Sequence, residues 1–288
     1  MTTTTITTDT AIRVRGLRKK YGDTSAVDGL DLDVRRGEVF ALLGPNGSGK
    51  TTTTEILEGY RRRDAGEVEV LGVDPQTGGR DWRAKIGIVL QTSASSEDLT
   101  VAELVRSFAV FYQPRSYDEA EVIAAVGLQD SANVRAGKLS GGQRRRLDVA
   151  LGIVGKPEIL FLDEPTTGFD SQSRRDFWDL IRSLAAEGTT VLLTTHYLEE
   201  AEQLADRVGV IAAGRLVALD TPAQLGGRTQ AAATVHWLEN GIAQAVQTAT
   251  PGEFVCGLAG RFDGEIPGLT VLRPTLEDTY LRLVGDPV

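Results

Sequence analysis

Val39-Phe-Ala-Leu-Leu43, Gly44-Pro45-Asn46-Gly47-Ser48-Gly49-Lys50-Thr51 and Thr52-Thr-Thr-Glu-Ile-Leu57 decide the fold of this chain. The first five residues are an unbroken apolar run, which suits a strand buried on both faces of a parallel sheet. The last six read as the opening of a helix. Between them, Gly44 to Thr51 fits G-x-x-x-x-G-K-[ST] at every fixed position. The glycines let successive backbone N–H groups turn inward around phosphate oxygens, and the N-terminus of the following helix adds partial positive charge. Lys50 is expected to reach the β- and γ-phosphates of a nucleotide, and the Thr51 hydroxyl to sit on Mg²⁺, with Thr52 in the same nucleotide-contacting set. The alternative is a glycine-rich turn that binds nothing, against which motif and context agree. The spacing is not G-x-G-x-x-G, so a dinucleotide site is disfavoured.

Outward from this segment the chain reads as α/β. Glu158-Ile-Leu-Phe-Leu162 and Thr190-Val-Leu-Leu-Thr194 repeat the buried-strand pattern, with helical segments between. Residues 11–34 alternate instead (Ile12, Val14, Val27, Leu30, Leu32, Val34), which is a strand pattern with one buried face. Val208–Ala212 and Arg215–Leu219, around Ala213-Gly214, read as a hairpin. From about 93 to 152 the pattern is helical. Thr100 with Glu103 forms a capping box ahead of Leu104, Phe108 and Phe111, and Ser116 with Glu119 forms a second, its helix stopped by Gly127. After Gly226-Gly227 the composition changes. Residues 229–288 hold short β-like pieces (Ala233–Trp237, Leu269–Leu272) and a last helix, capped by Thr275 with Asp278 and faced by Leu276, Tyr280 and Leu283. The expected organisation is a disordered lead-in at 1–10, a main domain at 11–228 and a C-terminal appendage at 229–288.

Composition sets further bounds. With 31 Lys and Arg against 40 Asp and Glu, the formal charge of −9 weighs against a nucleic-acid partner. Cys256 is the only cysteine, so no disulfide forms within the chain, and a reducing compartment fits. The threonine-rich start has neither the basic nor the apolar region of a signal peptide. No stretch approaches the ~18 apolar residues of a transmembrane helix. Arg61-Arg-Arg63 reads as a solvated turn.

Phe161-Leu-Asp163-Glu164 places two carboxylates at the C-terminal tip of a strand, where ligands sit in an open parallel sheet. Asp163 is expected to hold Mg²⁺ through water, and Glu164 to orient or deprotonate an attacking water. A solvated acidic turn is the bland alternative. In Leu139-Ser140-Gly141-Gly142-Gln143, Ser140 and Gln143 form a capping box, so Gly141 and Gly142 open a helix with free N–H groups, a second anion site in the same chain. His196 with Glu199 and Glu200 gives a weak pattern for a transition-metal face.

Leu139–Gln143, just ahead of the strand that carries Asp163, resembles the signature of ABC transporter nucleotide-binding domains, and the resemblance covers roughly residues 11–225. It implies a P-loop NTPase (RecA-like) α/β core with an antiparallel β subdomain, a helical subdomain at about 93–152 and the small C-terminal α+β appendage. It also implies ATP and Mg²⁺. Tyr21 is similar to the aromatic that stacks on adenine. Gln91 is similar to the glutamine that touches Mg²⁺ and senses the transporter. Gly168-Phe169-Asp170 resembles the D-loop, with phenylalanine where leucine is usual, and His196 the switch histidine facing the γ-phosphate. In the family, ATP lies between the phosphate loop of one subunit and the signature of another. One copy of each here implies a second ATP-binding subunit, most simply a homodimer. A separate transmembrane permease and a place on the cytoplasmic face of the membrane are implied too. The loop from Gln91 to Thr100, with Ser93–Ser96, would form part of the groove for the permease's coupling helix.

Glu164–Asp170, Thr194–Glu202 and Pro274-Thr-Leu-Glu-Asp-Thr-Tyr-Leu281 resemble daunorubicin-resistance-type ATPases, which serve ABC-2-type exporters of drugs, lipids or other hydrophobic compounds. The competing readings are a soluble ABC ATPase acting on nucleic acid or the ribosome, a nucleotide-binding regulator without turnover, and an importer subunit.

Overall fold

The computed structural model describes residues 10–90, 97–112, 116–262 and 264–285. Its strands are β1 (Thr10–Tyr21), β2 (Thr24–Arg35), β3 (Val39–Leu43), β4 (Ala65–Val70), β5 (Ile86–Val89), β6 (Ile159–Asp163), β7 (Thr190–Thr195), β8 (Arg207–Ala212), β9 (Arg215–Asp220), β10 (Ala233–Glu239), β11 (Ile242–Thr248) and β12 (Thr270–Leu272). Its α-helices are α1 (Lys50–Leu57), α2 (Arg80–Arg83), α3 (Val101–Ala109), α4 (Glu119–Ala125), α5 (Gly141–Ile153), α6 (Ser171–Ala186), α7 (Leu198–Leu204), α8 (Pro251–Ala259) and α9 (Leu276–Val284).

The central sheet runs β5-β6-β7-β3-β8-β9, parallel except for the β8–β9 hairpin. Because side chains alternate across a strand, the apolar runs feed two cores. Val39, Ala41, Leu43, Leu160, Leu162, Val191 and Leu193 face one, with α3–α7 and α9. Phe40, Leu42, Ile159, Phe161 and Leu192 face the other, under α1 and the antiparallel sheet β2-β1-β4. This double burial is why these strands carry no polar alternation. Among the described residues, no helix is long and apolar enough to cross a membrane.

The helical stretch differs from expectation at two points. The box at Thr100 and Glu103 forms, but the one before α4 is Asp118 with Glu121, because Glu119 turns away to pair with Arg106 at 2.6 Å. Leu104 is buried, whereas Phe108 and Phe111 are exposed and meet edge to face at 6.4 Å. A 3₁₀ turn at Val110–Tyr112 ends the α-helical period between them.

Beyond β9, β11-β10-β12 and α8 enclose a small core of Val235, Trp237, Leu258 and Ile266. Asn240-Gly241, both at positive φ, turns β10 into β11; this is a hairpin signal that the weak Ile242–Thr248 alternation obscures. Helix α9, with its Thr275–Asp278 box, leaves that unit. Its Leu276 belongs to the main core, and Tyr280 and Leu283 pack against it.

Phe161 is 1% exposed in the middle of the sheet. Phe161→Ala is expected to cost about 3–5 kcal/mol through lost burial and an unfilled cavity. Guanidinium denaturation monitored by circular dichroism checks this, and a loss below about 1 kcal/mol would show that the site collapses to fill the space.

Candidate active site

Strand register sets out the chemistry. Leu43 of β3 lies beside Thr195 of β7, and Thr194 beside Asp163 of β6. The C-terminal tips of three neighbouring strands therefore end in one row, and the loops after Leu43, Asp163 and Thr195 emerge side by side.

The loop after β3 closes too tightly for side chains. A Cβ on Gly44 would lie 2.4 Å from the Ile211 carbonyl oxygen, and one on Gly49, at φ 105°, would lie 2.3 Å from that of Ala26. Lys50 Nζ donates to the carbonyls of Gly44 at 2.7 Å and Pro45 at 3.1 Å. Burial lowers its pKa, against the pull of Glu164 and Asp163, which favour the charged form. Ser48 Oγ is buried in the loop with no partner among the described residues. Over the loop lies a cavity of about 310 Å³ lined by Tyr21, Asn46, Gly47, Gly49, Lys50, Thr51, Thr52, Asp163 and Glu164. Buried donors and an inward cation suit phosphate oxygens. The Thr51 hydroxyl and Asp163 carboxylate are an all-oxygen set suited to a hard divalent cation. Gln91 lies outside the described residues, as do Ser93–Ser96.

Tyr21 is 42% exposed at the mouth, its ring flanked by Lys19 Nζ at 5.6 Å and the Arg61 guanidinium at 5.3 Å. The arginine run is therefore solvated only at Arg62, which is exposed, while its two outer members are anchored. Arg61 also pairs with Glu55 at 2.5 Å, and Arg63 binds both oxygens of Asp74 at 2.8 and 2.7 Å.

The Thr194 hydroxyl donates to Asp163, and the Thr194 carbonyl accepts the Glu164 N–H at 3.0 Å. This grip holds Glu164 at φ 45°, a strained conformation for a non-glycine residue. Its Oε1 lies 3.1 Å from His196 Nδ1. Arg145 completes the frame. Buried in α5, it donates to the carbonyls of Pro165 at 3.0 Å, Asp163 at 2.8 Å and Leu90. Sequence reasoning passed over Arg145 as one of three consecutive arginines. Only the fold shows that it points inward.

Ser140 caps α5, its Oγ accepting from Gln143 N at 3.3 Å while Gln143 Oε1 accepts from Ser140 N at 3.0 Å. None of Ser140, Gly141, Gly142 and Gln143 lines the cavity. A Cβ on Gly141 would meet nothing within 4 Å, so this helix start faces open space. Asp170 caps α6 by accepting from Gln172 N, Ser173 N and Ser173 Oγ at 2.8–2.9 Å, and those bonds hold its pKa below the usual carboxylate value. No group of three or more potential metal ligands occurs among the described residues. Glu199 pairs with Arg174 at 3.3 Å and Glu200 is buried, so the two acids form no metal face with His196.

A family model described as ABC transporter matches residues 27–167. The chain is 40% identical to the Daunorubicin resistance ATP-binding protein DrrA3 of Streptomyces coeruleorubidus, over 96% of this chain and 97% of that protein. It is 37% identical to the Nod factor export ATP-binding protein I of Burkholderia orbicola (strain AU 1054), over 95% and 97%. Among solved structures, cbiO1 from Clostridium perfringens, described as part of the ABC transporter complex cbiONQ, is similar at a TM-score of 0.67 with 26% identity, covering 75% of this chain and 90% of that one.

One acid near the site escaped the sequence reading. Glu58, just past α1, is buried, and burial with the nearby charges of Asp163 and Glu55 pushes its pKa from 4.5 to about 8. Between those values the folded chain holds a proton that the unfolded chain has released. The stability linked to Glu58 is therefore full below 4.5 and is lost as pH rises towards about 8. Urea denaturation of the parent should show a falling midpoint between about pH 5 and about pH 8, and Glu58→Gln should flatten that slope. Equal slopes in parent and variant would remove Glu58 as the cause.

Proposed function

The chain belongs to the ATP-binding proteins of ABC transporters, and from that membership we propose how its residues divide the work of hydrolysing ATP to drive export. It is an exporter-type ATP-binding subunit of the daunorubicin-resistance kind. The observation that carries the mechanism is the division of its two anion sites. The phosphate loop meets both strand-tip carboxylates in one cavity, while Ser140–Gln143 open onto a different surface.

In this reading adenine stacks on Tyr21, whose ring the neighbouring Lys19 and Arg61 orient. The N–H groups from Gly44 to Thr52 and the Lys50 ammonium take the phosphates, Lys50 exchanging its two carbonyl partners for phosphate oxygens. Thr51, Asp163 and Gln91 would hold Mg²⁺, which supplies charge neutralisation at the β- and γ-phosphates. Glu164 accepts the proton of the attacking water, and His196, 3.1 Å from its carboxylate, fixes its direction. The Thr194 carbonyl and the Arg145 guanidinium hold the backbone of that turn, so the carboxylate is aimed before substrate arrives.

A loop with no signature beside it is half a site. Ser140, Gly141, Gly142 and Gln143 of a second copy would close over the phosphates, and Asp170, at the start of α6, would lie at that seam. A homodimer with two composite sites follows. A separate transmembrane permease would carry the cargo and hold the dimer at the cytoplasmic face of the membrane. No nucleic-acid partner is expected. Similarity over nearly the whole chain to proteins named for daunorubicin resistance and Nod factor export supports a hydrophobic or amphipathic cargo. In the same reading 11–228 binds nucleotide and 229–288 is an appendage whose last helix, α9, packs back into the main core.

Glu164→Gln should leave ATP affinity within about twofold of the parent, lower turnover by at least ~10²-fold, and collect an ATP-bound dimer on gel filtration. Turnover at the parent rate would remove Glu164 as the base, and unchanged turnover after chelation of Mg²⁺ would remove the metal. Complementation checks the composite site. Lys50→Ala and Ser140→Arg should each be inactive, yet an equal mixture should recover about a quarter of the parent rate, since half the dimers carry one intact site. A mixture as inactive as its components would sink the shared-site reading.

A further inference from the structure

We propose that Glu200 is a positioning residue whose buried carboxyl braces the turn carrying His196 against the turn carrying Glu164 and ties both to helix α6. The inference rests on the roles given to those two residues above, and it assigns the geometry between them to a third.

Glu200 is the third residue of α7, the helix that follows His196, and it is 1% exposed. Three donors surround its carboxyl: the hydroxyl of Thr195, next to His196; that of Thr166, two residues past Glu164; and the indole N–H of Trp178 in α6. Arg174 of α6 adds a nearby positive charge. A carboxylate has about four lone-pair sites, so one group can take all three donors. None of them closes a bond of good geometry with it among the described residues. Both Glu200 oxygens, Thr166 Oγ1 and Trp178 Nε1 are all buried without a partner by that measure.

An acid at such a place is costly. Burial is the largest influence on it and raises its pKa, with the three donors opposing. An apolar side chain of the same size would fill the space without that cost. What an apolar residue cannot do is hold two turns and a helix at fixed distances through one atom group. The surrounding contacts run the same way. Arg174 pairs with Glu199 at 3.3 Å and lies over the Tyr197 ring at 5.4 Å, and Tyr197 packs on the His196 ring at 4.1 Å. Helix α6 itself starts at the Asp170 cap. A continuous set of contacts therefore links Asp170, where the second subunit would touch, to the His196–Glu164 pair.

The chain has two histidines, His196 beside Glu164 and His236 in β10. Imidazole-labelled NMR therefore gives one signal at the site and one internal reference. Glu200→Gln keeps size and shape. It is expected to move the His196 signal, leave that of His236 in place, and lower kcat by about ten- to a hundredfold, with KM and ATP affinity within about twofold. Trp178→Phe, which removes one donor, should do the same more weakly, and it carries both readouts if Glu200→Gln does not fold. A kcat within about twofold of the parent with an unmoved His196 signal overturns the brace. So does a joint shift of both histidines together with a fall in melting temperature, which marks general destabilisation. Glu164→Gln, measured alongside, separates the levels. If it is inactive while Glu200→Gln is parental, only the brace fails; if it turns over ATP at the parent rate, the base assignment and the brace fail together.

Discussion

The side-by-side pairing of β6, β7 and β3 is the constraint on which the rest of this molecule depends. Each strand delivers one chemical element at its C-terminal tip: the acids from β6, the histidine from β7 and the phosphate loop from β3. Parallel pairing brings all three tips to one edge, and the register fixes their heights. Thr194 then turns pairing into geometry, because its hydroxyl holds Asp163 while its carbonyl holds the Glu164 backbone in a strained conformation. A slip of one residue would send Asp163 to the opposite face of the sheet and undo the site.

Charge is arranged around that edge under burial. Lys50 is held by two loop carbonyls, and burial lowers its pKa while Glu164 and Asp163 oppose that by favouring its charged form. Glu58 is driven towards its neutral form by burial, with the charges of Asp163 and Glu55 adding to it. The cavity over the loop thus brings one inward cation, Lys50, together with two carboxylates, Asp163 and Glu164. The signature helix contributes from behind, since Arg145 spans from α5 to the carbonyls of Asp163, Pro165 and Leu90. One helix thus presents an open N-terminus to the outside and clamps the acid-bearing turn on the inside.

Membership of the ABC ATP-binding family carries almost the whole chain, including the part beyond β9, since the relatives match over nearly their full length. In that part β10–β12 and α8 have a core of their own, while α9 returns to the main body. Arg228 and Arg273 fasten the junction, Arg228 to Glu202 and the Pro222 and Pro274 carbonyls, and Arg273 to the carbonyls of Thr229 and Ala231.

The sequence by itself determined the elements whose signal is local. The phosphate loop, the buried strands, the strand-tip acids, the boxes at Thr100, Ser140 and Thr275 and the β8–β9 hairpin all depend on residues within a few positions of one another, and short-range sterics and hydrogen bonding decide them. Only the tertiary structure decided what depends on partners in other elements and turns. Asp118 rather than Ser116 caps α4 because Arg106 draws Glu119 aside. Arg61 and Arg63 are anchored, not solvated, because Glu55 and Asp74 lie across from them. Glu58, Arg145 and Glu200 look like surface residues in the sequence, since charge predicts exposure, yet each is buried in the folded chain, Glu58 near Asp163, Arg145 against the turn after β6 and Glu200 near Thr166 and Trp178. Periodicity tells which face of an element is apolar. It cannot tell which polar residue on that face will be enclosed and given work, because that is set by what the fold packs against it.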